Sequence, residues 1–312
     1  EFGGGRIMAF TTIDDPSAYF KVQLYTGTGS SNAITFDDTD TDMQPDLVWI
    51  KRRDSTGSHY LVDAVRGVTK VLFSNADNEE ATDTESVTAF GSDGFTVGTQ
   101  ANVNTSSATF VAWCWKESAT SGFDIVGYTG NGTDDTDIAH SLSAVPHVMI
   151  VKCRSNDEGW MVYHHKNTAA PETDYLELNS TNATADAADK WSDEAPTSSV
   201  FTLGDNPSHN GDGRTYVNYL FTEKQGFSKF GGYTGNGNAD GQFIYLGFRP
   251  AFLICKRADG VNNWKGTDNT RDSDNMVTAT MNLDSSGAEG TEDHVDYLAN
   301  GFKIRRNGND IN

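Results

Sequence analysis

The densest group of side chains able to do chemistry is acidic: Asp37, Asp38, Asp40 and Asp42, spaced by Thr39 and Thr41. Calcium takes six to eight oxygen ligands, and alternating aspartates in a loop can wrap one, so these four are candidate ligands. Asp134, Asp135 and Asp137 hold a similar place further along, and Asn238 and Asp240 a third. The glycine and closing glutamate of an EF-hand are missing, which leaves a solvated acidic loop as the competing reading. No other cofactor is suggested by the residues.

The remaining chemistry-bearing types are dispersed. His164 and His165 are adjacent, so on a strand they point to opposite faces and cannot easily share a metal. His59, His140, His147, His209 and His294 are scattered among loops and strand ends. There is no GxSxG elbow and no GxxxxGK[ST] loop, and no two carboxylates stand apart from the many. The expectation is a protein with no catalytic residues. Six tryptophans could stack on sugar rings or fill a core. Trp191, in the polar stretch DKWSDEAP, is the candidate for an exposed ligand contact. Cys114, Cys153 and Cys255 each sit in an apolar run and none is in a CxxC pair, as reduced, buried thiols do.

The elements that must carry these residues come in three copies. YTGTG at Tyr25 returns as YTGNG at Tyr128 and Tyr233. After each come a proline, a short apolar run (LVWI, HVMIV, AFLIC) and then Lys51, Lys152 or Lys256. An aromatic recurs at Tyr60, Trp160 and Trp264. A fixed period marks a duplicated structural unit, so these nine residues are read as repeat framework. The basic residues at each run's end are expected to form solvated or inter-unit ion pairs. TGNG predicts a two-residue hairpin, and the apolar runs predict strands buried on both faces. Each copy continues to a phenylalanine strand (GFTVG, VFTLG, GFKIR), and two close with an aromatic strand, TFVAWCWKE or TYVNYLFTE.

The predicted fold is all-β: three tandem β-sandwich repeats, jelly-roll or lectin-like, of about a hundred residues each. Residues 1–7 read as a linker or tag remnant, 8–117 as the first repeat, 118–223 as the second and 224–312 as the third. That third copy lacks the closing strand and is expected to be truncated at its C-terminus. Short linkers predict units that pack together instead of swinging freely. A formal net charge of −21 disfavours nucleic acid and anionic lipid, and no apolar run approaches the ~20 residues of a membrane helix.

These motifs add up to a resemblance. TTIDDPSAYF, the YTGxG turns, PDLVWIKRR, DAVRGVTK, GFTVG, VAWCWK, GFSKFGGYTGNG and NGFKIR resemble large marine-bacteriophage virion proteins. Those are labelled tail-fibre or structural proteins and contain repeated lectin-like β-sandwich units. The resemblance covers nearly the whole chain from Met8. It implies a virion component, assembled in the host cytoplasm and released on lysis. It also implies host attachment through multivalent contacts, with other virion proteins, a homo-oligomer (a trimer favoured) and a host surface glycan as partners. Such relatives extend beyond the point equivalent to Asn312 with a further aromatic strand, a departure in this chain. The family carries no catalytic residues to map. Two alternatives stay open: a capsid or tail decoration protein without a ligand, and a polysaccharide depolymerase, although the short repeats of a long β-helix are missing.

Overall fold

Apolar runs that offer no polar face must be covered on both sides, and the architecture provides two covers. A computed structural model describes residues 11–36 and 41–312. Strand accounts for 38 % and helix for 5 %, an all-β sandwich fold.

The first unit contains β1 (Phe20–Thr26), β2 (Asn32–Thr35), β3 (Leu47–Arg52), β4 (Tyr60–Asp63), β5 (Lys70–Val71), β6 (Ala81–Thr82), β7 (Val87–Gly91), β8 (Gly94–Val97), the single turn α1 (Ala101–Asn104) and β9 (Thr109–Trp115). Its main sheet runs β1-β9-β3-β4, and a cover sheet runs β2-β8-β7. The second unit repeats this with β10 (Phe123–Thr129), β11 (Thr136–Ala139), β12 (Val148–Cys153), β13 (Trp160–His164), β14 (Asp174–Glu177), β15 (Ala185–Asp186), α2 (Ala188–Trp191), β16 (Val200–Leu203), α3 (Pro207–Asn210) and β17 (Thr215–Phe221). Its main sheet is β10-β17-β12-β13-β14-β15, covered by β11-β16. The third has β18 (Phe243–Tyr245), β19 (Phe252–Cys255), β20 (Lys265–Asp268), β21 (Val277–Asn282), β22 (Gly290–Leu298) and β23 (Gly301–Ile304) in one sheet, β18-β23-β22-β21-β20-β19.

Period-two alternation divides each main sheet between two cores. The inner face meets its own cover: Val48, Ile50 and Phe110 pack with Ile34 and Phe95, and Met149, Val151 and Tyr216 pack with Phe201. The outer faces of all three sheets meet one another. Leu47, Trp49 and Trp113 of the first unit, Val148, Trp160 and Tyr219 of the second, and Trp264 and Met281 of the third share a single central core. The expectation of strands buried on both faces therefore holds for β3 and β12.

The TGNG expectation needs correction. β1 and β2 belong to different sheets, as do β10 and β11, so the turn is a crossover between layers and not a hairpin. Its two glycines have different reasons. At Gly27 and Gly130 an added Cβ would stand 2.1 Å from the Thr105 carbonyl oxygen and 2.5 Å from that of Gly211. Gly29 and Gly132 instead adopt φ of 72° and 63°, the left-handed region that glycine enters without strain.

Candidate functional site

The recurring residues converge where the units touch. Lys51 and Lys152 have no exposed surface, and neither pairs with a carboxylate among the described residues. Lys152 Nζ donates to the carbonyls of Cys153 (2.9 Å), Glu158 (2.8 Å) and, across the unit boundary, Asp77 (2.9 Å). Lys256 donates likewise to Arg257, Asn262 and, across the boundary, Thr181. Lys51 reaches Arg52 and Ser286. The second unit thus grips the first, the third grips the second, and the first grips the third. Three like contacts that return to their start form a closed ring with pseudo-threefold symmetry. Burial lowers the pKa of Lys51 and of Lys152 to about 8. The expectation of solvated pairs fails for these lysines and holds for their arginine neighbours: Arg53 grips Glu289 and Arg154 grips Glu80, each through two bonds of 2.9–3.0 Å.

Trp160 and Trp264 repeat the same logic. Their indole N–H groups donate to the carbonyls of Phe73 and Glu177, each in the preceding unit. Tyr60, expected as their counterpart, lies on the inner face of β4, in the first unit's own core. The counterpart is His59. It stacks on Trp113, its Nδ1 accepts from Trp49 Nε1 at 2.8 Å, and its Nε2 lies 3.1 Å from the Asn282 carbonyl, to which it donates. Both bonds fit the neutral ring, and burial lowers its pKa to about 3. A shorter aromatic with an N–H at the right end replaces an indole.

A second ring of polar contacts lies around the first. Buried Asp63 pairs with Arg66, which reaches Glu80, and Asp268 pairs with Arg271, which reaches Glu289. The second unit builds the same position from neutral groups: His164, then Asn167, whose Oδ1 accepts from Thr184. Aromatics of the neighbouring units reach the aspartates, Tyr219 donating to Asp63 (2.7 Å) and Trp113 to Asp268 (3.0 Å).

The tyrosines of YTGxG close the far end of each unit. Tyr25, Tyr128 and Tyr233 donate to the carbonyls of Val103, His209 and Ile311. Next to those acceptors stand Asn104, Asn210 and Asn312, whose side-chain oxygens receive the N–H of Thr28, Asn131 and Asn236. Sequence reading missed this trio, although it recurs with a period close to that of the tyrosines.

The candidate ligand sites fare differently. Trp191 is fully buried, donates to the Asp174 carbonyl, and packs on Tyr163 and His209; it is core and not an exposed contact. Asp37, Asp38 and Asp40 lie outside the described residues, and Asp42 is exposed. Two other clusters bring metal-type ligands together: His147, His165 and Glu223, and Glu292, His294 and Asp310. In the first, Nδ1 of His147 accepts the Glu223 backbone N–H, Nε2 of His165 meets the Phe230 carbonyl, and Glu223 accepts the Phe230 N–H. In the second, Lys265 and Arg306 already sit against both carboxylates. The first reads as a structural joint; in the second, both ring nitrogens of His294 are buried without a hydrogen-bond partner among the described residues.

The chain matches, over residues 15–312, a family described as a domain of unknown function, DUF7483. It belongs to that family. No curated protein and no solved structure matches it. For this member of the family, the recurring lysines and the His59–Trp160–Trp264 trio join units, and the recurring tyrosines brace turns within them.

Proposed function

We propose that this chain is a structural element of a phage virion, a tail fibre or spike that meets the host surface by multivalent, lectin-like contacts. The observation that carries the reading is the closed ring. Every recurring polar residue (Lys51, Lys152 and Lys256, the His59–Trp160–Trp264 trio, the tyrosine and asparagine clamps) is consumed in holding the units or their turns. What the ring leaves free to diverge is the loops, including those after each YTGxG turn. A pseudo-threefold block presents equivalent loops at one end, so weak contacts add by avidity within one chain. The resemblance to marine-phage tail-fibre proteins supplies the setting, with other virion proteins and a host glycan as partners and a homotrimer as the favoured assembly. The charge of −21 fits a surface that repels nucleic acid.

The test is adsorption of labelled protein to host cells together with a glycan array. Binding is expected, and cross-linking copies should strengthen it about a hundredfold. Absence of adsorption even when cross-linked would favour a decoration protein without a ligand. Release of reducing sugar from host polysaccharide would instead make it a depolymerase.

A further inference from the structure

Two positions that recur in every unit carry different chemistry in the third. The residue after each phenylalanine strand (Gly98, Gly204 or Arg305) donates its backbone N–H to the carbonyl of Ser86, Lys190 or His294, so these three hold one position. The second position precedes the carbonyl that each YTGxG tyrosine clasps, and holds Asn102, Ser208 and Asp310. In the first two units the side chain at the first position is satisfied locally. Ser86 Oγ donates to the Asp83 carbonyl (3.1 Å), and Lys190 Nζ donates to Ser208 Oγ (2.9 Å). The closing strands β9 and β17 take no part in either bond.

The third unit departs from this. His294 is 2 % exposed, and neither ring nitrogen has a hydrogen-bond partner among the described residues. A neutral imidazole carries one donor and one acceptor, and burying both unmatched is costly. The backbone aims the ring deliberately. Val277 of β21 pairs with Val295 of β22 and Ala279 with Thr291, so β22 has three residues between these pairs where β21 has one. Such a bulge re-aims the side chains it carries, here those of Glu292 and His294.

What the ring meets is two carboxylates. One ligand atom each from Glu292, His294 and Asp310 lies within 4.8 Å of the others. Lys265 Nζ stands 3.4 Å from an oxygen of both carboxylates, so the pair already holds a cation between them. Arg306 meets Glu292 at 2.8 Å, and its Nε lies 3.0 Å from Asp310 Oδ1 without the alignment of a hydrogen bond. A cleft of about 370 Å³ lined by Ala239, Glu292, Arg305, Arg306, Asn307 and Gly308 gives access from solvent.

We propose that Glu292, His294 and Asp310 bind one divalent transition-metal ion of the zinc type, in exchange for the Lys265 ammonium. An imidazole nitrogen with two carboxylate oxygens suits zinc, whereas calcium and magnesium take oxygen ligands. Three protein ligands leave a fourth tetrahedral position, which the cleft opens to water. Zinc bonds of about 2.0–2.2 Å bring ligand atoms to roughly 3.3 Å from one another, so half-exposed Glu292 draws inward. Because Asp310 precedes Ile311, the ion ties the turn clasped by Tyr233 to β22.

The test titrates the full chain, first stripped with chelator, with Zn²⁺ by calorimetry and follows hydrogen exchange. One-to-one saturable binding is expected, with new protection at residues 292–295 and 306–312. His294→Ser and Asp310→Asn introduce the residue types that the first unit carries at Ser86 and Asn102, so both suit the fold. Each should weaken binding at least about tenfold. Lys265→Met should strengthen it several-fold by removing the competing ammonium, a direction that a merely structural cluster would not give. His147→Ala, in the other histidine cluster, should leave it unchanged. No saturable binding, unchanged affinity in His294→Ser, loss of binding in His147→Ala, or displacement of zinc by an equal amount of Ca²⁺ would overturn the proposal.

Discussion

A buried lysine without a carboxylate is costly, and Lys152 is tolerated because all three of its N–H bonds find carbonyls. Lys152→Met would leave those carbonyls unmatched, and a loss on the order of 3 kcal/mol in urea unfolding is expected. The pH dependence carries the same signature. Lys51 and Lys152 titrate at about 8 when folded and 10.5 when unfolded, because burial disfavours their charge. Between those values the unfolded chain binds more protons, so their contribution to stability rises with pH. Cys114 and Cys255, raised by burial, act oppositely above the ordinary thiol value of 9.0, and Tyr216, also raised by burial, does so above 10.0, which makes pH 8 to 9 the useful window. The melting temperature should climb there, and Lys152→Met should remove part of the climb. At the acid end, His59 and His209 (both about 3) and His164 and His294 (both about 4) are neutral when folded because they are buried. Their contribution is full above 6.5 and lost as pH falls toward 3. Glu117, raised to about 7 by burial and by Asp124, opposes them between 4.5 and 7, and Asp46 and Asp284, raised by burial, oppose them above 3.8.

At the level of elements, the YTGxG crossover shows how much the sequence carried and where it was silent. The repeat, the apolar strands and the tyrosines were legible, since a period of about a hundred residues outlasts loop changes. The turn's role was not, because Asn-Gly is a hairpin signal wherever neighbouring strands pair, and pairing is a tertiary fact. Aromatic type points to Tyr60 as the partner of Trp160 and Trp264, but register makes it His59, and one residue on a strand reverses the face. Trp191 sits among polar neighbours on a single turn, α2, so local composition hid a core residue. A crossover glycine and a glycine of the loop that faces it give a direct check. Gly130→Ala would drive a Cβ against the Gly211 carbonyl and should cost about 1–3 kcal/mol, the usual penalty of overpacking. Gly213→Ala, at φ 69° with nothing within 4 Å, should cost only about 1 kcal/mol. Paired urea melts of the two variants would separate close approach from backbone strain.

Across the whole molecule, three β units that could have been beads are welded through one central core and a circle of like contacts. Each unit's outer sheet face is covered only by its neighbours, so no unit can leave without exposing tryptophans. Buried apolar area of this kind couples units into one cooperative transition. The divergent His164–Asn167–Thr184 joint is neutral where the other two are ionic. The most direct measurement is residue-level hydrogen exchange of the intact chain in rising denaturant. A closed ring predicts that core amides of β3, β12 and β20 open together at one global free energy, and that Lys152→Met lowers all three alike. Independent opening of one unit, with the other two unchanged, would contradict it.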